Sequence, residues 1–196
     1  RGEVWFPNSK MGKLSQLQVK SRMISGKTRL VGVIGKPVIH SLSPVMHNAA
    51  MKEMGLDWCY LAFPCDTKNL KNVLEALLEI NCQGLNITIP HKKEVISYCK
   101  DISKLAKILG AVNTLSRSKE GGWNGFNTDM EGFLIPLKER DWEKSNALVL
   151  GCGGSARAVV GGLSTLNFNE ITILGRNEIK LNKFLKDIQK NYNYFN

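Results

Sequence analysis

Three short apolar runs, "LVGVIG" (30–35), "WCYLAFP" (58–64) and "GLNITI" (84–89), are separated by stretches long enough to hold a helix. Near-continuous apolar runs suit strands buried on both faces. Alternation of such runs with amphipathic segments is the pattern of an α/β protein with a mainly parallel sheet. Between the first two runs, "SPVMHNAAMKEMG" (43–55) has Ser43 placed to cap a helix, Pro44 at its first position and Gly55 at its end. Between the second and third, Leu70, Val73, Leu74, Leu77 and Leu78 recur at i, i+3, i+4, i+7 and i+8. That spacing predicts one apolar stripe on a helix over 67–80.

The pattern restarts after "MEGFLIPLKER", which reads as a connecting helix from Thr128 to about Arg140. A strand, "NALVLG", runs into the turn "GCGGSAR" and then into a helix with apolar Ala156, Val159, Val160 and Leu163. A second strand, "EITILGRN", leads into one last helix running to the end of the sequence. The expected organisation is therefore a poorly ordered basic extension over 1–26, an α/β unit over 27–127, a connecting helix over 128–143 and a second α/β unit over 144–196. Met23 is a candidate start, and the basic, serine-containing leader also fits a transit peptide.

Composition excludes several classes. Hydrophobic residues make up 43% and charged residues 22%, a globular balance, and no apolar run reaches the roughly 18 residues of a membrane span. Five cysteines without CxxC spacing, with three scattered histidines, point to structural thiols in a reducing, cytoplasmic setting and to no metal. The net charge of +10 invites a nucleic-acid reading, yet five cations and one acid in the first 22 residues supply +4 of it. Elsewhere cations alternate with acids and form no run interleaved with aromatics, which suits small phosphorylated ligands rather than a polynucleotide groove.

The segment "NITIPHKK" (86–93) places amide, hydroxyl and ammonium groups at the carboxyl edge of a strand, where open α/β sheets bind ligands. Asn86 and Thr88 lie two apart and leave one face; Ile87 and Ile89 leave the other. Read together with "HSLSPVMHN", "AVNTL" and "NTD" in this order, the chain from about Leu30 onward resembles the shikimate dehydrogenase family, NADP-dependent enzymes of aromatic amino-acid biosynthesis. The resemblance implies that Ser41 and Ser43 hold a substrate carboxylate and that Asn86, Thr88, Lys92, Asn113 and Asp129 contact a hydroxylated ring. It implies hydride exchange between a nicotinamide and the ring ketone of 3-dehydroshikimate, giving shikimate, with Lys92 and Asp129 as the reacting pair. Substrate preference between shikimate and quinate stays open.

Gly151, Gly153 and Gly154, between a strand and a helix, fit a phosphate-binding turn, and Ser155 and Ala156 open that helix. At the end of the next strand an NAD enzyme usually carries an acid; here Gly175, Arg176 and Asn177 are followed by Lys180. Cations suit the 2′-phosphate of NADP. The family commonly writes NRT where this chain has "GRN", and alanines where it has Cys152 and Ser155. Further strands follow in the family, so the resemblance implies only the first part of a Rossmann-like NADP-binding domain, with a silent shikimate-binding protein as the alternative. A sheet edge serves a second copy of the chain as readily as further strands, so a homodimer stays open.

Overall fold

In the computed structural model, which describes residues 24–192, the first apolar run becomes strand β1 (Arg29–Gly35), parallel to β2 (Trp58–Pro64) on one side and to β3 (Gly84–Ile87) on the other. Helix α1 (Ser43–Glu53) crosses from β1 to β2, and α2 (Leu70–Glu79), entered through a 3-10 turn at Thr67–Asn69, crosses from β2 to β3. The stripe on α2 meets the sheet: Leu70, Leu74 and Leu77 are buried with Ile34, Leu85 and Ile87. Burying three leucines contributes about 2 kcal/mol each, enough to hold a ten-residue helix too short to persist alone.

Beyond β3 one strand runs against the rest of the sheet. Strands β4 (Cys99–Ile102), β5 (Thr114–Arg117) and β6 (Trp123–Phe126) complete the order β2-β1-β3-β5-β6-β4, and helix α3 (Lys104–Leu109) lies between β4 and β5. β5 pairs antiparallel with both β3 and β6, while β6 and β4 pair parallel, so five of the six strands share one direction and the sheet is mainly parallel, as the apolar runs predict. The β5–β6 hairpin is too polar and too short to announce itself as buried strands. Trp123, almost fully buried, anchors it by donating from its indole nitrogen to the Leu74 carbonyl, 3.2 Å away.

Three local expectations shift. Helix α1 begins at Ser43 itself, so Ser43 is not its cap; the Ser41 hydroxyl accepts from the Ser43 amide at 3.2 Å instead. Strand β3 ends at Ile87 rather than running on through Ile89, which is exposed. The connecting helix is short: α4 covers Asp129–Leu134 and tightens to a 3-10 turn at Ile135–Leu137, because Pro136 brings no amide hydrogen for a further α-helical bond.

The second sheet has two parallel strands, β7 (Asn146–Leu150) and β8 (Glu170–Leu174), joined by α5 (Gly154–Leu163) and followed by α6 (Glu178–Tyr192). Val149, Val160, Leu163, Phe184 and Ile188 form its core, which places α5 and α6 on one face of the sheet. On the other face Leu148, Leu150 and Leu174 are exposed. A separate cluster of Leu109, Met130, Leu134 and Ala158 joins α3, α4 and α5 and fixes the two sheets to each other. At Gly162 a Cβ would stand 3.1 Å from Phe133 and 3.2 Å from Leu134, so a larger residue at the α4–α5 crossing would push those side chains by a few tenths of an ångström. The expected extension before residue 24 and the last four residues of the expected final helix lie outside the described residues. Among those described, no helix is long and apolar enough to cross a membrane.

Candidate active site

A cleft of about 430 Å³ opens at the carboxyl ends of β1 and β3, the parallel end of the first sheet. Ser41, Ser43, Asn86, Thr88, Lys92, Asn113 and Asp129, grouped from four separate motifs, all line it. The backbone between β3 and the start of α4 explains how they meet. The Ile87 amide donates to the Asn113 carbonyl at 2.7 Å, the Val112 amide to the Lys92 carbonyl at 2.8 Å, and the Asn113 amide to the Phe126 carbonyl at 3.0 Å. Three chain segments are thereby held side by side.

The side chains are linked as closely. The Asn113 amide nitrogen donates to Asp129 Oδ1 at 2.7 Å and to Thr128 Oγ1 at 2.9 Å, while its oxygen accepts from the Thr128 amide at 2.9 Å. Asn127 fixes the start of α4: its oxygen accepts from the Asp129 amide at 3.0 Å and its nitrogen donates to the Ala111 carbonyl at 2.9 Å. Asp129 Oδ2 then accepts from the Lys92 ammonium at 2.8 Å. The Lys92 side chain is only 12% exposed, so this pair sits in a partly dry environment where its attraction exceeds that of a surface pair.

On the opposite wall, Tyr60 donates from its hydroxyl to Asn86 Oδ1 at 2.7 Å. Burial pushes the Tyr60 hydroxyl up to about 12, against a smaller opposing effect of a hydrogen bond with Ser43. The phenol therefore keeps its proton, and the Asn86 amide nitrogen is the group left to donate into the cleft. His47 stacks on the Tyr60 ring at 4.4 Å and, with His40, lines the same cleft. His91, within "NITIPHKK", points the other way: fully buried, it donates from Nε2 to the Cys65 carbonyl at 2.8 Å and ties the turn after β3 to the end of β2.

Sequence reasoning passed over Tyr60, Asn127, Thr128 and His47. Asn127 and Thr128 stand inside the "NTD" motif that was read only for its aspartate, and His47 is one turn along α1 from Ser43. Tyr60 carried no signal, being one aromatic within an apolar strand.

Two further clefts lie at the carboxyl ends of β7 and β8. One, of about 540 Å³, is lined by Gly151, Gly153, Gly154, Ser155 and Ala156 together with Lys92. The other, of about 840 Å³, is lined by Gly175, Arg176, Asn177 and Lys180. They share Leu150, Gly151 and Lys180, so all nine residues singled out for a dinucleotide face one continuous trough. Gly151 has φ +114, a conformation that side-chain-bearing residues rarely adopt. The turn it makes exposes the amino end of α5 to the trough, a good place for an anionic group. Arg176 has no ion-pair partner among the described residues. Lys92 lines both the first cleft and the trough.

The five cysteines are unpaired thiols. Burial pushes Cys65 and Cys82 upward and Cys99 to about 11, which suits inert packing groups. Among the described residues no cluster of His, Cys, Asp or Glu is arranged to hold a metal.

Comparison with known proteins gives a consistent picture. The family profile for the shikimate dehydrogenase substrate binding domain matches residues 33–115. A shikimate dehydrogenase (NADP(+)) of Prochlorococcus marinus is 49% identical over 165 residues, which is 84% of this chain and 58% of that protein. A shikimate dehydrogenase crystallised in complex with NADP+ superposes with a TM-score of 0.78 at 40% identity, covering 87% of this chain and 59% of the other. A Listeria monocytogenes shikimate 5-dehydrogenase in complex with shikimate and NAD gives 0.75 at 34% identity, covering 87% and 60%. The chain thus spans about three fifths of the length of the relatives it matches. By this shared sequence and fold, the chain belongs to the shikimate dehydrogenase family.

Proposed function

We propose that this chain serves the NADP-dependent, reversible reduction of 3-dehydroshikimate to shikimate, a step of aromatic amino-acid biosynthesis, in the cytoplasm. The observation that carries the reading is the position of Lys92, which lines both a cleft of hydroxyl and amide groups and the trough beneath the glycine turn. Ser41 and Ser43 bind the substrate carboxylate as neutral donors. Asn86, Thr88, Asn113 and Asp129 engage the ring hydroxyls, and a site built to hydrogen-bond hydroxyls discriminates strongly against analogues lacking them.

The residues around the trough fit a phosphorylated dinucleotide, with the turn at Gly151, Gly153 and Gly154 toward the pyrophosphate and Arg176 and Lys180 toward a 2′-phosphate. Bound NADPH supplies the hydride. In the reduction, the Lys92 ammonium polarises the ring ketone, meets the negative charge that develops on its oxygen and delivers the proton that completes the hydroxyl. Asp129 holds the ammonium in place and accepts from a neighbouring ring hydroxyl. In the reverse direction the same lysine takes the proton back.

The test is direct. The purified, folded chain is mixed with shikimate and NADP+, and NADPH is followed by its absorbance. Steady formation establishes the activity. Shikimate binding in a calorimeter without NADPH formation replaces the enzyme with a binding protein, and absence of both removes the reading altogether.

A further inference from the structure

Lys92 makes a second hydrogen bond that the family motif does not assign. Its ammonium donates to the Ser155 hydroxyl at 2.9 Å, in addition to Asp129 Oδ2 at 2.8 Å. Resting on the function proposed above, we infer that Ser155 is a positioning residue for Lys92, aiming its ammonium at the substrate from the glycine turn.

The geometry of an ammonium supports this. It has three N–H donors and no acceptor. Two fixed acceptors take two of them, and the third is directed by tetrahedral geometry alone. With Asp129 as the sole partner, the head group turns about that one bond and the third donor sweeps a cone. With Ser155 added, the third has one direction, and Lys92 lines the cleft that holds Ser41, Ser43 and Asn86.

The contact is built into the packing. At Gly154 a Cβ would stand 3.0 Å from Lys92 Cβ and 3.3 Å from its Cδ, so the turn lies against the aliphatic stem of the lysine as well as its head. Helix α5, which carries Ser155, is fixed to α3 and α4 by two further contacts. Ala158 packs with Leu109, Met130 and Leu134, and the buried Arg157 guanidinium reaches the Leu109 carbonyl at 3.4 Å. Ser155 therefore stands at a set distance from Lys92 although 63 residues of sequence separate them. A hydroxyl accepting from the lysine still has its own hydrogen to donate, and Ser155 faces the dinucleotide trough.

The experiment compares Ser155→Ala and Ser155→Thr with the unaltered chain. Ser155 is exposed, so the threonine methyl has room and the hydroxyl is retained. Expected for Ser155→Ala is a fall in kcat of roughly 10- to 100-fold, the scale of a hydrogen bond to a charged group, with the NADP+ KM within about twofold. Ser155→Thr restores most of the lost turnover. An unchanged kcat, or a loss confined to a raised NADP+ KM, overturns the inference and leaves Ser155 as a cofactor contact only. If the unaltered chain binds shikimate but turns nothing over, the catalytic reading fails separately, and calorimetry reads the same bond. Shikimate then binds Ser155→Ala at least about threefold more weakly if Ser155 aims the lysine, and equally well if it does not.

Discussion

The two sheets hold their functional groups in different ways. In the first, the side chains of the cleft are tied to one another before any ligand arrives: Asn113 is nearly buried and bonds to Asp129 and Thr128, Asn127 fixes the start of α4, and Tyr60 orients Asn86. In the second, the groups facing the trough are backbone of a glycine turn and exposed cations, and among the described residues the sheet behind them is covered on one face only. The difference teaches where selectivity comes from. Recognition of a small ring depends on the placing of several donors and acceptors, which needs a buried frame. A phosphate is met by amide groups and charge, which demand less of the packing behind them.

The strongest way to break this comparison is to empty each side in turn. Leu74→Ala removes a side chain that is 2% exposed beneath the first sheet, and a loss of about 3–4 kcal/mol in urea unfolding is expected. Leu148→Ala, at 59% exposure on the open face of the second sheet, should change stability by less than about 0.5 kcal/mol. Equal losses would mean that the open face is covered in solution and that the contrast is false.

Next in size is the group proposed to react. Lys92→Ala should lower turnover by about 10²-fold or more while shikimate affinity falls less, because the other donors of the cleft are bound to the frame. Full turnover in steady-state kinetics would remove Lys92 from the reaction. On the dinucleotide side, Arg176→Ala should reduce the preference for NADPH over NADH by roughly tenfold, the loss of one charge-assisted bond. A preference left intact would assign the phosphate to Lys180 or to backbone.

The smallest effect sharpens the joint between the two sheets. Asp187 on α6 pairs with the buried Arg157 and lies 3.5 Å from Lys93. Partial burial alone would raise its carboxyl, but the Arg157 hydrogen bond and charge, with Lys93, hold it below the ordinary 3.8. A carboxylate depressed in the folded state stabilises above its unfolded value and loses that contribution as acid titrates it. Its side chain is 36% exposed, so screening leaves a modest effect. Asp187→Asn should therefore cost about 1 kcal/mol at pH 7, and the difference from the unaltered chain should shrink as the pH falls below the ordinary carboxylate value and through the lower folded one. A difference that persists in acid would point to packing rather than charge.

Much of the fold was legible because its elements repeat with short periods. The runs at 30–35 and 58–64 became strands to within a residue, and the stripe from Leu70 to Leu78 became α2. Residues 99–126 were less readable, since a polar hairpin with Gly121 and Gly122 at its turn gives no apolar run, and its strands owe their place to Trp123. The cleft was legible as motifs, whose residue types announce donors and acceptors. Tyr60 and Asn127 were not, because a residue that positions another by one hydrogen bond leaves no periodic mark.

By itself, the sequence determined most of the strands and helices outside residues 99–126, where glycine makes a turn, and which short stretches carry hydroxyl, amide and ammonium groups. These are local properties, set by backbone preference and by side-chain spacing within a few residues. Only the tertiary structure decided that β5 runs antiparallel between β3 and β6, that Asn113 meets Asp129, and that Lys92 reaches across to Ser155. Those outcomes follow from helices crossing at Ala158 and Gly162 and from backbone bonds between distant strands, and no local preference encodes a distance between residues 63 positions apart.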